Sequence, residues 1–309
     1  MHFYGLSSIG CSHHVPRKIT LCSVDIMYDF DNTLSTKDMQ EYAFIPGVGM
    51  NAQEFWKKCD EVKKKHHMDQ ILAYMYVMVD SAEGKMLLNR NEFNKLGKSV
   101  EFFDGVVTWF GRVNKYADKR NIKLEHYVIS SGLKEIIEGT KIAHEFKEIY
   151  AAEFYYDDKK GVPQWPAMAV NYTSKTQFLF RINKDVMDVT ENDAVNEFIP
   201  EDKRRIPFRN MIYIGDGLTD VPCMKLVKVN GGHSIAVFKN GNTEESNKMI
   251  LDGRVDYAVP ADYSKGSELE KIVFAVIDQI ATCDYTIDLH LQHQEKAKAE
   301  RNKQQNNAE

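Results

Sequence analysis

The sequence predicts an α/β fold, a doubly wound parallel sheet with an inserted all-helical second domain. Three observations predict it. First, strand-like apolar runs near residues 21–28, 126–129, 148–154, 211–214, 234–238 and 256–259 are separated in several places by helix-forming stretches, as parallel strands with crossover helices require. Second, residues 35–124 break that rhythm with helical periodicity and no alternating strand pattern. Third, several runs end in polar, glycine-bearing motifs, and open α/β sheets bind ligands beyond the carboxyl ends of their strands.

The first run (Val24, Ile26, Met27, Tyr28) leads directly into Asp29-Phe30-Asp31-Asn32-Thr33-Leu34. In extended chain, residues i and i+2 share a side, so Asp29 and Asp31 are delivered to one small volume. No base is close in sequence to neutralise them. A divalent cation, a shared proton, or both would relieve the repulsion.

The inserted stretch follows. Phe55, Cys59 and Val62 lie near helical spacing within 50–66, with lysines opposite. Residues 69–83 and 86–119 continue as helix-forming sequence, the latter with Phe102, Phe103, Val106, Trp109, Phe110 and Val113. Tyr74, Met75, Tyr76 and Met78 read as core of this insertion. Lys63-Lys64-Lys65-His66-His67 reads as a solvated helix face, because adjacent histidines diverge around a helix. Gly97-Lys98-Ser99 is not a phosphate-binding P-loop, since Glu92 stands where the earlier glycine should be.

Tyr127-Val128-Ile129 then runs into Ser130-Ser131-Gly132, with a helix expected from Leu133 to Gly139. A hydroxyl, a glycine turn and a helix start form an anion cradle. Glu153 to Gly161 reads as a strand and hairpin turn, followed by Trp165 and Pro166. Met211-Ile212-Tyr213-Ile214 reads as a short buried strand, and Gly215-Asp216-Gly217-Leu218-Thr219-Asp220 follows at once.

In this order the motifs resemble the haloacid-dehalogenase superfamily of phosphatases. Asp29-Phe30-Asp31-Asn32-Thr33 matches its first motif, Ser130 the second and Gly215 to Asp220 the fourth. The third requires a lysine; Lys175 in Thr173-Ser174-Lys175-Thr176 is best placed, with Lys184 as a neighbour. The helical insertion resembles the cap of the phosphoserine-phosphatase-like branch. The resemblance implies a Rossmann-like core of residues 19–34 and 125–285 and a helical cap of 35–124.

It also implies a Mg²⁺-dependent phosphatase acting on a small phosphorylated metabolite through an aspartyl-phosphate. Asp29 would be the nucleophile and Asp31 the general acid and base. The implied metal ligands are the Asp29 carboxylate, the Asp31 backbone carbonyl and the Asp216 carboxylate, with Asp220 as a ligand or an orienting acid. Ser130, Ser131, Gly132 and Lys175 would hold the phosphoryl oxygens. The acid at Asp31 favours phosphate esters over the superfamily's dehalogenase and phosphonatase chemistry. Phosphotransfer to another acceptor, or a silent phosphate-binding protein of the same fold, are the alternatives; the retained acids argue against silence. In that branch, acidic and basic cap residues hold an amino acid; Asp38 and Glu41 follow the first motif here, and the substrate stays unnamed.

Composition fits a globular enzyme, with 43% hydrophobic residues and a formal charge of −5. Nucleic acid is therefore not an expected partner. Five cysteines (Cys11, Cys22, Cys59, Cys223, Cys283) form no CxxC pair and no zinc spacing, which suits a reducing cytoplasm. The longest apolar run, Ile71 to Val79, is too short for a membrane span. Asn171-Tyr172-Thr173 fits a glycosylation sequon, but nothing in the sequence points to secretion. Residues 1–18 and 286–309 read as flexible termini.

Overall fold

The computed structural model describes residues 22–306 apart from 160, 240 and 242; the expected N-terminal arm, 1–18, lies outside them. Strands are β1 (Cys22–Tyr28), β2 (Ile122–Leu133), β3 (Glu148–Tyr156), β4 (Pro163–Met168), β5 (Met211–Gly215), β6 (His233–Phe238) and β7 (Tyr257–Pro260). The first helices are α1 (Phe44–Gly47), α2 (Ala52–His66), α3 (Gln70–Ala82), α4 (Arg90–Gly97), α5 (Val106–Asp118) and α6 (Lys134–Glu138). They are followed by α7 (Lys175–Lys184), α8 (Asn192–Asn196), α9 (Val221–Val229), α10 (Glu244–Leu251) and α11 (Glu268–Asn306).

The strands form one seven-stranded sheet in the order β4-β3-β2-β1-β5-β6-β7. All pairings are parallel except β3 with β4, the hairpin anticipated at Glu153 to Gly161. Tyr28 pairs with Val128 on one side and Ile214 on the other. The carboxyl ends of β1, β2 and β5 therefore lie side by side, which brings the three polar motifs together.

Alternation along β1 divides the core. Val24, Ile26 and Tyr28 face α5 and the long helix α11, while Met27 faces α7 and α9 through Phe178, Leu179, Met224 and Val227. Helices on both faces make the sheet doubly wound. β2 starts earlier than expected, because the alternating segment Ile122-Lys123-Leu124-Glu125 pairs with Cys22 to Asp25.

The helical stretch expected over 86–119 is two helices, α4 and α5. Between them Phe102 bridges to Ser35, and Gly105 adopts φ +82° before α5 begins. A Cβ at Gly105 would also run into the backbone of Tyr263 and Ser264, so only glycine fits that corner. α5 packs on the sheet. Trp109 Nε1 donates to the Tyr28 hydroxyl at 2.9 Å, and Arg112 Nε pairs with Glu270 Oε1 on α11 at 2.7 Å.

Helices α2 and α3 pack on each other beyond the strand ends. Asn51 and Glu54 form a reciprocal capping box on α2, and the Asp69 carboxylate caps α3. Among the described residues, hydrogen bonds fasten this pair to the sheet domain. The Tyr74 hydroxyl donates to Ser131 O (2.8 Å), Asn171 Nδ2 to Asp69 Oδ2 (3.2 Å) and the Tyr172 hydroxyl to Gln70 Oε1 (3.1 Å). At the C-terminus, α11 continues as exposed helix from Tyr285 through the described part of the expected tail. Among the described residues no helix is long and apolar enough to cross a membrane.

Candidate active site

Asp29 follows the last residue of β1 and is held by its backbone, whose N–H donates to Ile214 O at 2.9 Å. The chain then turns. Asn32 sits at φ +58°, a conformation asparagine tolerates better than most residues. Asp31 is drawn inward, its Oδ1 accepting from Met39 N at 2.8 Å. Gly132 makes room for it. A Cβ there would overlap Met39 Cε and lie 2.8 Å from Asp31 Oδ2.

Lys175 enters from the start of α7. It is 1% exposed, and its Nζ donates to Asp29 Oδ1 at 2.9 Å and Asp220 Oδ1 at 2.7 Å. Burial disfavours the ammonium, but the carboxylates of Asp220 and Asp29 outweigh it and raise the lysine's pKa. Lys184, the neighbouring alternative, lies elsewhere and donates to the carbonyls of Val195 and Glu197. The Tyr213 hydroxyl, from β5, also donates to Asp220 Oδ1, at 2.8 Å. Gly215 lets this acid fold back, since a Cβ at that position would stand 2.5 Å from Asp220 Oδ2.

Carboxylate oxygens of Asp29, Asp216 and Asp220 lie within 4.8 Å of one another. Thr33 Oγ1 donates to Asp216 Oδ1 at 3.4 Å, and Asp220 Oδ2 is buried with no partner. Burial and the Asp220 carboxylate push Asp29 up to about 6 despite Lys175. Asp216 is pushed well above the usual carboxylate range by burial, Asp220 and Asp29. Such crowding is what a hard divalent cation relieves, and an all-oxygen donor set suits Mg²⁺. These residues therefore fit the ion. The Asp31 carboxylate stands outside this group of three; burial and the carboxylates of Asp38 and Asp29 push it well above the usual range.

Ser130 is fully buried and its Oγ accepts from Gly132 N at 3.1 Å, which leaves the hydroxyl hydrogen free to donate. Ser131 Oγ is buried and has no partner. α6 has only five residues, and Leu133 still belongs to β2. The helix expected from Leu133 is thus barely more than one turn, and the expected cradle residues Ser130 to Gly132 lie on the end of β2, where its register against β3 shifts.

These groups line a cleft of about 240 Å³ roofed by α2 and α3. Asp29, Asp31, Ser130, Ser131, Lys175 and Asp216 line it; Asp220 lies behind Lys175 and Gly132 beneath Asp31. Sequence reading did not single out Gln40, Gln70 or Tyr213, and it took Tyr74 for insertion core. Tyr74 is buried, yet it also lines the cleft. Its spacing on α3 is that of a core residue, and only the docking of α3 over Ser131 distinguishes it.

Comparison with known proteins identifies the family. The family model for haloacid dehalogenase-like hydrolases matches residues 26–225. An uncharacterised protein of Borreliella burgdorferi is 28% identical over 286 residues, covering 82% of this chain and 98% of that protein. A structure described as a phospho-aspartyl intermediate analogue of phosphoserine phosphatase superposes with a TM-score of 0.50 at 15% identity, covering 82% of this chain and 98% of that one. An unliganded probable phosphoserine phosphatase from Vibrio cholerae gives 0.52 at 11% identity, covering 85% and 67%. Both likenesses are of fold. With the family model spanning all three strand-end motifs and Lys175, the chain belongs to the haloacid dehalogenase-like hydrolase family.

Proposed function

We propose that the chain is a metal-dependent phosphatase that hydrolyses a small phosphate monoester through an aspartyl-phosphate on Asp29. The observation that carries this reading is the Lys175 ammonium bridging Asp29 and Asp220 beside Asp216, at the floor of a roofed cleft.

Asp29 Oδ attacks phosphorus and forms an Asp29–phosphoryl bond as the ester O–P bond breaks. Asp31, half-buried and disposed to be protonated, gives its proton to the departing alkoxide. A water then attacks the phosphoryl group, Asp31 takes that water's proton, and Asp29 is released with inorganic phosphate. Lys175, the Ser130 hydroxyl and Ser131 Oγ donate to phosphoryl oxygens as charge shifts onto them. Asp29 and Asp216, with Asp220 behind them, would hold Mg²⁺, which when bound offsets the charge between Asp29 and the phosphate. Helices α2 and α3 limit the access of bulk water.

Metal removal tests the reading. Chelator should abolish hydrolysis of p-nitrophenyl phosphate and Mg²⁺ should restore it, with Ca²⁺ a poor substitute because of its looser, larger coordination shell. Full activity in excess chelator would contradict it.

A further inference from the structure

The cleft is asymmetric in charge. Its phosphate end holds Lys175, the one cation among the described lining residues, and both of that ammonium's carboxylate partners lie at the same end. Away from Lys175 the lining comprises Asp38 and Gln40, which flank the Met39 bonded to Asp31, and Trp56, Gln70, Tyr74 and Tyr172. Gln40 is 2% exposed, and its Oε1 has no hydrogen-bond partner. A buried amide oxygen left unpaired awaits a donor.

Among the described residues Asp38 accepts one hydrogen bond, from Asn32 Nδ2 at 2.8 Å; Lys239 Nζ bonds the oxygen of that same Asn32 amide, at 2.8 Å, and acts on the acid through charge alone. The adjoining hollow shares Asp38, Trp56, Gln70 and Tyr74, and continues to Lys63, which is paired with Asp60 at 2.8 Å.

We propose, building on the phosphatase reading above, that the substrate is the phosphate monoester of a small amino alcohol, carrying an ammonium group and no carboxylate. Three aromatic residues, a carboxylate and an unpaired amide oxygen suit a primary or quaternary ammonium, through cation–π attraction, ion pairing and hydrogen bonding. A phosphorylated amino acid would bring a carboxylate to the same residues, where the cleft lining adds no cation beyond Lys175, the adjoining hollow offers Lys63 already paired with Asp60, and Asp38 repels it.

The test compares kcat/KM of the full chain, with Mg²⁺, on phosphoethanolamine, phosphocholine, phosphoserine, glycerol 3-phosphate and p-nitrophenyl phosphate. At least one ammonium ester should exceed both phosphoserine and glycerol 3-phosphate by about tenfold or more. Asp38→Asn should cut that preference severalfold. Trp56→Leu, which leaves the acid in place, should also reduce it, most for phosphocholine.

If p-nitrophenyl phosphate is turned over but glycerol 3-phosphate or phosphoserine matches the ammonium esters, the inference is overturned and the phosphatase reading stands. An ammonium preference unchanged in both variants also overturns it. If no ester is hydrolysed, p-nitrophenyl phosphate included, both fall together.

Discussion

The Tyr74 hydroxyl donates to the carbonyl of Ser131 at 2.8 Å, so a residue of α3 is tied to the end of β2 that would receive phosphate. The bond joins the roof of the cleft to its floor. Tyr74 is almost wholly buried, and Trp56 on α2 meets its ring edge-on with centroids 6.3 Å apart.

Tyr74→Phe keeps the ring and removes that bond. The expected cost is about 1 kcal/mol of stability, a net buried hydrogen bond, seen as a lower thermal midpoint. Activity on p-nitrophenyl phosphate should fall as well, since the end of β2 at Ser131 loses its tether. Unchanged stability and unchanged turnover together would show that α3 does not order that strand end.

Lys175 supports the fold as well as the site. Lys175→Met leaves Asp29 and Asp220 facing each other without their shared counter-charge, at an expected cost of about 3 to 5 kcal/mol. Added Mg²⁺ should recover part of the loss, because the three carboxylates keep a use for a cation. Hydrolysis of large and small esters should drop alike. Denaturant titrations with and without Mg²⁺, plus the kinetics, check each part.

A buried relay beneath the site sets an acid limit on stability. Trp109 Nε1 can only donate, so Tyr28 accepts from it and passes its own hydrogen to His126 Nδ1, 3.1 Å away. His126 Nε2 then carries the ring proton toward Asn114 Oδ1 at 2.9 Å. Burial lowers the His126 pKa from 6.5 to about 3. The unfolded chain therefore binds a proton the folded chain refuses. Stability from this group is intact above pH 6.5 and is lost as pH falls toward 3, amounting to about 2 kcal/mol by pH 5. His126→Phe should be less stable at pH 7 and should flatten that dependence. Parallel slopes for the two proteins between pH 7 and pH 5 would contradict the assignment.

The strand-end motifs were legible because their information is local. Asp29, Ser130 and Asp216 each follow an apolar run closely, and parallel pairing of the three strands does the rest. The fold class was legible for the same reason, from runs of six or so residues with the right punctuation. What escaped depends on distant partners. Nothing around Tyr74 announces Ser131, 57 residues on, and Gln40 sits in a segment without period; Tyr213 lies close to Asp220 in sequence, but its place in a buried strand reads as core. The turn of Gly105 against Tyr263 divides α4 from α5, and that contact spans more than half the chain. Lys175 and Lys184 begin and end one helix; the bonds each makes, to carboxylates or to loop carbonyls, tell them apart.

The central claim is that Asp29 becomes covalently phosphorylated, and acid-quenched mass spectrometry tests it most directly. Protein mixed with Mg²⁺ and p-nitrophenyl phosphate, quenched within the first turnovers and digested, should yield the peptide containing Asp29 with one added phosphoryl group. The adduct should be absent from Asp29→Asn, which should fold normally and lose turnover, because size is kept and only the attacking charge is removed. A phosphoryl group found on another residue, or Asp29→Asn hydrolysing the ester at a near-normal rate, would contradict the account.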